Sequence, residues 1–251
     1  MKLGELRWPE IKALDAATTM VLIPTGSMEQ HGPHLPLEVD HFIVGRLAED
    51  LEKRMPEVII VPPVWSGVSP HHMDFPGTVT LRPQVFIDLL IDICSSLQHH
   101  GFRRIVLLNG HGGNASSLSV LGQELYTRLG LSVSVIVYWD LVPEEVRRTV
   151  SSATKGLGHA GQMETAVMLH LAPHLVSEPD IPKSPPPVAT EEKQKLLSGK
   201  AIRRYVNIKE YSEIGVDGNP AAATREAGER FYNSVLDELE KTMRMLQSLP
   251  N

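Results

Sequence analysis

Ile105-Val106-Leu107-Leu108-Asn109-Gly110-His111-Gly112-Gly113-Asn114 is the stretch that decides the fold. Its first four residues are apolar without alternation, which predicts a strand covered on both faces. Strands of that kind belong to parallel sheets, where crossover helices lie on either side. The run breaks into a turn with three glycines around one histidine, and a helix is expected from there to about Leu129. Strand, glycine-rich turn and helix in that order make one βα unit of an α/β protein.

Toward the N-terminus, Met20-Val21-Leu22-Ile23 reads as a second buried strand over 20–24. Val58–Val61 reads as a short third strand ended by Pro62-Pro63, and a small β piece is expected around Thr78–Leu81. A lead-in helix is predicted over Trp8–Ala17, with Pro9 in its first turn. Another begins at Asp40, placed as its N-cap, and carries Ile43, Val44, Leu47 and Leu51 at helical spacing. A third opens at Pro83, and its apolar stripe of Val85, Phe86, Leu89, Leu90, Ile93, Cys94 and Leu97 should stop near Gly101.

Toward the C-terminus, Val133–Trp139 predicts a strand, and helices are expected over Pro143–Val150, His159–Leu171 and about 221–247. Residues 172–190, with Pro185-Pro186-Pro187, read as an extended connector. Strands alternating with helices imply a three-layer α/β/α sandwich around a mostly parallel sheet. No internal repeat or change of composition divides the chain, so residues 1–251 are read as one domain.

Composition narrows the function classes. A formal charge of −6 and a pI near 6.0 offer no basic footprint for nucleic acid. No apolar run approaches the roughly 20 residues needed to cross a bilayer, and no signal peptide opens the chain. The single cysteine, Cys94, excludes an internal disulfide framework and fits a reducing cytoplasm. Its place on an apolar helix face predicts a buried thiol.

Three clusters carry the chemistry. The loop after the strand at 20–24 contains Glu29, His31 and Asp40, an oxygen–nitrogen–oxygen set suited to zinc, iron or manganese. Solvated imidazoles and a helix-capping Asp40 are the competing reading. The turn Asn109–Asn114 presents His111 as a ligand or acid/base; its spacing is neither a Walker A loop nor a dinucleotide fingerprint. A phosphate cradle on that turn stays open as an alternative. The third cluster, Gly158–Thr165, holds His159 and Glu164, five apart. A loop histidine and a first-turn carboxylate favoured by the helix dipole explain them equally well in isolation. Of His71 and His72, at most one is expected to face a site; His99 and His100 close a helix and are read as structural.

Taken together, these clusters resemble the creatininase (creatinine amidohydrolase) family of metal-dependent amidohydrolases. The resemblance rests on Pro24–Asp40, His72–Thr80, Asn109–Asn114, His159–Leu169 and Gly215–Gly228, in order along nearly the whole chain. It implies a three-layer α/β/α fold, a centre of two divalent ions (zinc, manganese or iron) and a homo-oligomer, often a hexamer. Carried over by position, Glu29, His31, Asp40, His111 and Glu164 match the metal-binding pattern, with Asp40 bridging. His159 matches a histidine of proton transfer. His72, Gly112 and Gly113 are assigned to the substrate side, as is Trp139 at the end of a predicted strand, where an apolar wall for a flat substrate and a core aromatic are equally open readings.

One position departs from the pattern. The resemblance places a glutamate of creatininases proper where this chain has Gly113, which shifts the carboxylate of the second ion onto Glu164. The Gly-His-Gly-Gly-Asn form is associated instead with a peptidase that trims a modified precursor peptide in mycofactocin maturation and with a formylamino-pyrimidine deformylase. The expected reaction is therefore hydrolysis of an amide-type C–N bond in a small or cyclic amide or a short peptide. A metal- or phosphate-binding regulatory protein is the non-enzymatic alternative.

Overall fold

The computed structural model describes residues 1–151, 157–184 and 205–249. Four strands pair in parallel: β1 (Met20–Thr25), β2 (Ile59–Ile60), β3 (Arg104–Asn109) and β4 (Val133–Val137). Their order is β2-β1-β3-β4. The register sets Thr25 opposite Asn109 and Asn109 opposite Val137, so three strands end at one level. After β2 the chain crosses to the other side of β1. That reversal puts a topological switch point between the C-terminal ends of β1 and β3, where open α/β sheets form their crevices.

Among the described residues the α-helices are α1 (Trp8–Lys12), α2 (Val39–Arg54), α3 (Pro83–His99), α4 (Ala115–Leu129), α5 (Glu144–Thr149), α6 (Gln162–Leu171) and α7 (Arg225–Ser248). Alternation along the central strands feeds two cores. Met20, Leu22, Val106 and Leu108 pack with α2, α6 and α7. Val21, Ile23, Ile105 and Leu107 pack with α3 and α4. This is the three-layer sandwich. Each fully buried leucine or isoleucine contributes about 1.5–3 kcal/mol of apolar burial, which is why β1 and β3 need no polar face. Cys94 is buried in the α3–α4 layer, and burial pushes its thiol up to about 12.

Several boundaries differ from expectation. α1 stops at Lys12 because Asp15 turns the chain, its backbone carbonyl and carboxylate accepting from Thr18 and Thr19. The edge strand β2 keeps only two residues. The β piece at 78–81 is reduced to a bridge between Val79 and Met28. β4 ends at Val137, so Trp139 sits on a 3-10 turn, Tyr138–Asp140. α6 starts at Gln162, leaving His159 outside it. Asp40 is not an N-cap: Glu38 holds that position, and Asp40 lies inside the first turn of α2. α7 begins at Arg225, where Thr224 caps it by accepting from the Ala227 N–H at 3.2 Å. Within 172–184 the connector contains short 3-10 turns; Pro185-Pro186-Pro187 lies outside the described residues. Among those described, no helix is long and apolar enough to cross a membrane.

Candidate metal centre

The loops that leave the switch point supply the polar residues. The chain after β1 carries Glu29 and His31 and then enters α2, whose first turn holds Asp40 where the helix dipole favours negative charge. α2 approaches the turn after β3 closely. A Cβ at Gly110 would lie 2.7 Å from the Asp40 carbonyl oxygen, so only glycine allows this approach. Two asparagines hold that turn: Asn109 Nδ2 donates to the His111 carbonyl at 2.7 Å, and Asn114 Nδ2 donates to the Gly26 carbonyl at 3.0 Å. The third contribution comes from the segment before α6. There His159 exchanges backbone hydrogen bonds with Asp217 at 2.8 Å. Ala160 adopts φ 50°, and its N–H donates to Glu164 Oε2 at 2.5 Å. A non-glycine residue in the left-handed region costs about 1–3 kcal/mol and is typical of a constrained site.

The cluster is buried and dense in charge. His31 Nε2 stands 3.3 Å from Asp40 Oδ1 and 3.8 Å from Glu164 Oε1. His111 Nδ1 stands 3.0 Å from Asp40 Oδ2 and 3.2 Å from Glu29 Oε2. Glu29, Asp40 and Glu164 are all buried, and among the described residues no lysine or arginine pairs with any of them. Burial opposes charge on every member, and the cluster answers it through the imidazoles. Asp40 and Glu164 hold His31 up to about 9 against that burial, and Glu29 and Asp40 hold His111 well above its ordinary value. Burial and the neighbouring carboxylates raise Glu164 to about 7. Burial and His31 press His159 down to about 3.

These residues fit divalent cations. The buried atoms His31 Nε2 and Asp40 Oδ2 make no hydrogen bond. His31 Nδ1 donates to the Glu29 carbonyl at 3.1 Å, and His111 Nε2 donates to the Val68 carbonyl at 3.2 Å. With those protons placed, the opposite nitrogen of each ring faces carboxylates and becomes free to ligate once a cation displaces its proton, the arrangement by which metal-ligating histidines are oriented. Donor atoms lie within 4.8 Å of one another in two triads, Glu29–Asp40–His111 and His31–Asp40–Glu164, which share Asp40. Glu29, His31 and His159 form a third such group.

A cavity of about 370 Å³ opens onto this cluster, with Trp139, His71, His72, Gly112 and Gly113 in its wall. All ten residues assigned from the sequence are thus brought together. Both His71 and His72 reach the cavity, where only one was expected: His71 stacks 5.8 Å from His111, and His72 Nε2 lies 3.2 Å from Glu29 Oε1. The short turn Pro70–His72 sets both rings toward the crevice. Gly112 has open space where a Cβ would stand, whereas a Cβ at Gly113 would meet His111 Nε2 and the Val68 carbonyl, each at 2.3 Å. Sequence reading missed Ser69, whose hydroxyl donates to Glu29 Oε2 at 2.5 Å and closely contacts Ser27. It also missed Gln30, although that residue stands between two assigned donors.

A parallel α/β sheet with buried carboxylates and imidazoles gathered at its switch point defines the class, an α/β protein with a candidate chelating cluster at its strand ends. The family model for creatininase, creatinine amidohydrolase, matches residues 4–243. The mycofactocin precursor peptide peptidase of Mycolicibacterium smegmatis is 31% identical over 231 residues, covering 90% of this chain and 85% of that protein. The creatinine amidohydrolase of Pseudomonas putida is 32% identical over 200 residues, 73% of this chain and 76% of that one. A solved manganese creatininase superposes with a TM-score of 0.82 at 26% identity, covering 99% of both chains; another solved creatininase is of the Zn-Zn type. The chain belongs to the creatininase family of hydrolases.

Proposed function

We propose that this protein is a metal-dependent amidohydrolase that cleaves an amide-type C–N bond of a small or cyclic amide. The observation that carries the reading is the place of Asp40 in two donor triads. A carboxylate shared between two sites, each completed by one carboxylate and one imidazole, suits a pair of zinc, manganese or iron ions. Glu29 and His111 would hold one ion, His31 and Glu164 the other. Bound there, such ions supply a water of lowered pKa and polarise the carbonyl under attack.

The chain's own groups do the remaining work. His159, kept neutral by burial beside the cluster, accepts a proton and returns it to the departing nitrogen. Ser69 and His72 hold the Glu29 carboxylate from two sides. Trp139 gives the cavity an apolar wall for a flat substrate, and the bare face of Gly112 leaves room above the turn. The reading takes 1–251 as one domain, acting in the cytoplasm as a homo-oligomer, hexameric as the family resemblance implies.

A second substrate class is favoured by one position. At Gly113 the backbone is packed too closely against His111 and Val68 for a side chain. The turn therefore suits the Gly-His-Gly-Gly-Asn form associated with precursor-peptide trimming and formamide hydrolysis. Elemental analysis combined with assays on creatinine, short peptides and formamides tests both classes. The expected result is up to two transition-metal ions per chain and metal-dependent turnover of one substrate class. Absence of bound metal, with no hydrolysis of any of the three after zinc or manganese is added, would overturn the proposal.

A further inference from the structure

Gln30 sits between Glu29 and His31, is almost fully buried, and makes contacts that reach three other loops. Its amide orientation is set by two backbone groups. The Gly32 N–H donates to Oε1 at 2.9 Å, and Nε2 donates to the Gly215 carbonyl at 3.0 Å. A flipped amide would oppose donor to donor and acceptor to acceptor. One amide hydrogen is therefore left, with two ring nitrogens in reach: His72 Nδ1 at 2.9 Å and His159 Nε2 at 3.0 Å.

The backbone decides between them. His159 Nε2 lies 2.7 Å from the carbonyl oxygen of Gln30, which can only accept. That nitrogen must carry a proton, since a bare lone pair facing a carbonyl at this distance is repulsive. The free amide hydrogen then goes to His72 Nδ1, which must be bare. His72 consequently carries its proton on Nε2, the nitrogen 3.2 Å from Glu29 Oε1. The neutral His159 ring keeps Nδ1 bare, 3.7 Å from the same oxygen.

From this geometry we infer that Gln30 is a positioning residue that fixes the tautomers of His72 and His159. Its backbone carbonyl anchors the protonated edge of His159, so that Nδ1 is the atom that accepts and returns a proton. Its side-chain amide anchors the bare edge of His72, so that Nε2–H donates to Glu29. Any residue at position 30 keeps the first contact; only a side-chain donor at that place keeps the second. The role of Nδ1 in turnover rests on the hydrolase reading; the tautomers do not.

The test is two-bond ¹H–¹⁵N correlation of histidine-labelled full-length protein, with rings assigned through His72→Gln and His159→Gln. Both rings are expected as Nε2–H tautomers in the wild type. In Gln30→Glu a carboxylate replaces the amide donor, so His72 should gain a proton on Nδ1 while His159 keeps its Nε2–H. Gln30→Met, which neither donates nor accepts, is expected to free the His72 tautomer and again spare His159. A proton on Nδ1 of His159 in the wild type would overturn the inference, as would an unchanged His72 in both variants. Because wild-type tautomers are read without turnover, correct tautomers in a protein that hydrolyses nothing would count against the hydrolase reading and leave this inference standing.

Discussion

A Cβ at residue 113 would stand 2.3 Å from His111 Nε2, so Gly113 and His111 share a space that admits only one side chain. The missing glutamate is therefore matched by a local backbone that excludes it. Gly113→Ala should cost about 1–3 kcal/mol through overpacking and displace His111 from the donor cluster. Urea denaturation with metal analysis checks this. Stability within about 0.5 kcal/mol of wild type and full metal content would refute the argument.

Glu164 belongs to only one of the two triads that share Asp40. Glu164→Gln should therefore weaken one ion and leave the other, because a neutral amide is a poorer ligand for a hard cation. Metal stoichiometry after mild chelation is the measurement. Two ions surviving in the variant would return Glu164 to the role of a first-turn carboxylate.

His159 is assigned to proton movement rather than to the two Asp40 triads. His159→Ala is expected to retain metal and lose turnover by ~100-fold or more. Loss of an ion from this variant would instead make the third donor group, with Glu29 and His31, the functional one.

His34 supplies a pH test away from turnover. Its Nε2 meets Thr165 Oγ1 at 2.9 Å, and burial with His31 lowers its pKa to about 4. The unfolded chain, with an ordinary histidine near 6.5, binds the proton that the fold refuses. Its contribution is thus complete above about pH 6.5 and is lost as pH falls toward 4, with a slope of at most about 1.4 kcal/mol per pH unit. Thermal melts of His34→Asn against wild type should converge as pH drops across that window. A constant difference would show that His34 does not titrate in the fold.

The parts legible in the sequence were those written locally. β1 and β3 announce themselves because both faces are buried, and α3 because Phe86, Leu90, Cys94 and Leu97 recur at helical spacing and are buried, whereas Val85 and Leu89 of the expected stripe are exposed. Glu29, His31, Asp40, His111 and Glu164 stood out as chelating types on loops beside such elements. Ser69, Gln30 and Asn114 did not, because their value lies in partners far away in the chain. Ser69 is an ordinary loop serine until the chain after β2 lays it on Glu29. A neutral glutamine between two chelating residues was the available signal for Gln30. The β piece at 78–81 failed for the opposite reason: its strand-like residues found a single bridging partner, Met28, and no ladder.

The candidate donors of the two triads lie at positions 29, 31, 40, 111 and 164, and those after β1 and β3 are brought level by the pairing of Thr25 with Asn109. No fragment shorter than residues 29–164 holds both triads. Closing such loops costs entropy before any contact offsets it, and chains dominated by distant pairings fold slowly. Cation uptake should accordingly lag behind helix formation during refolding, and it would report completion of the sheet rather than the appearance of any one element.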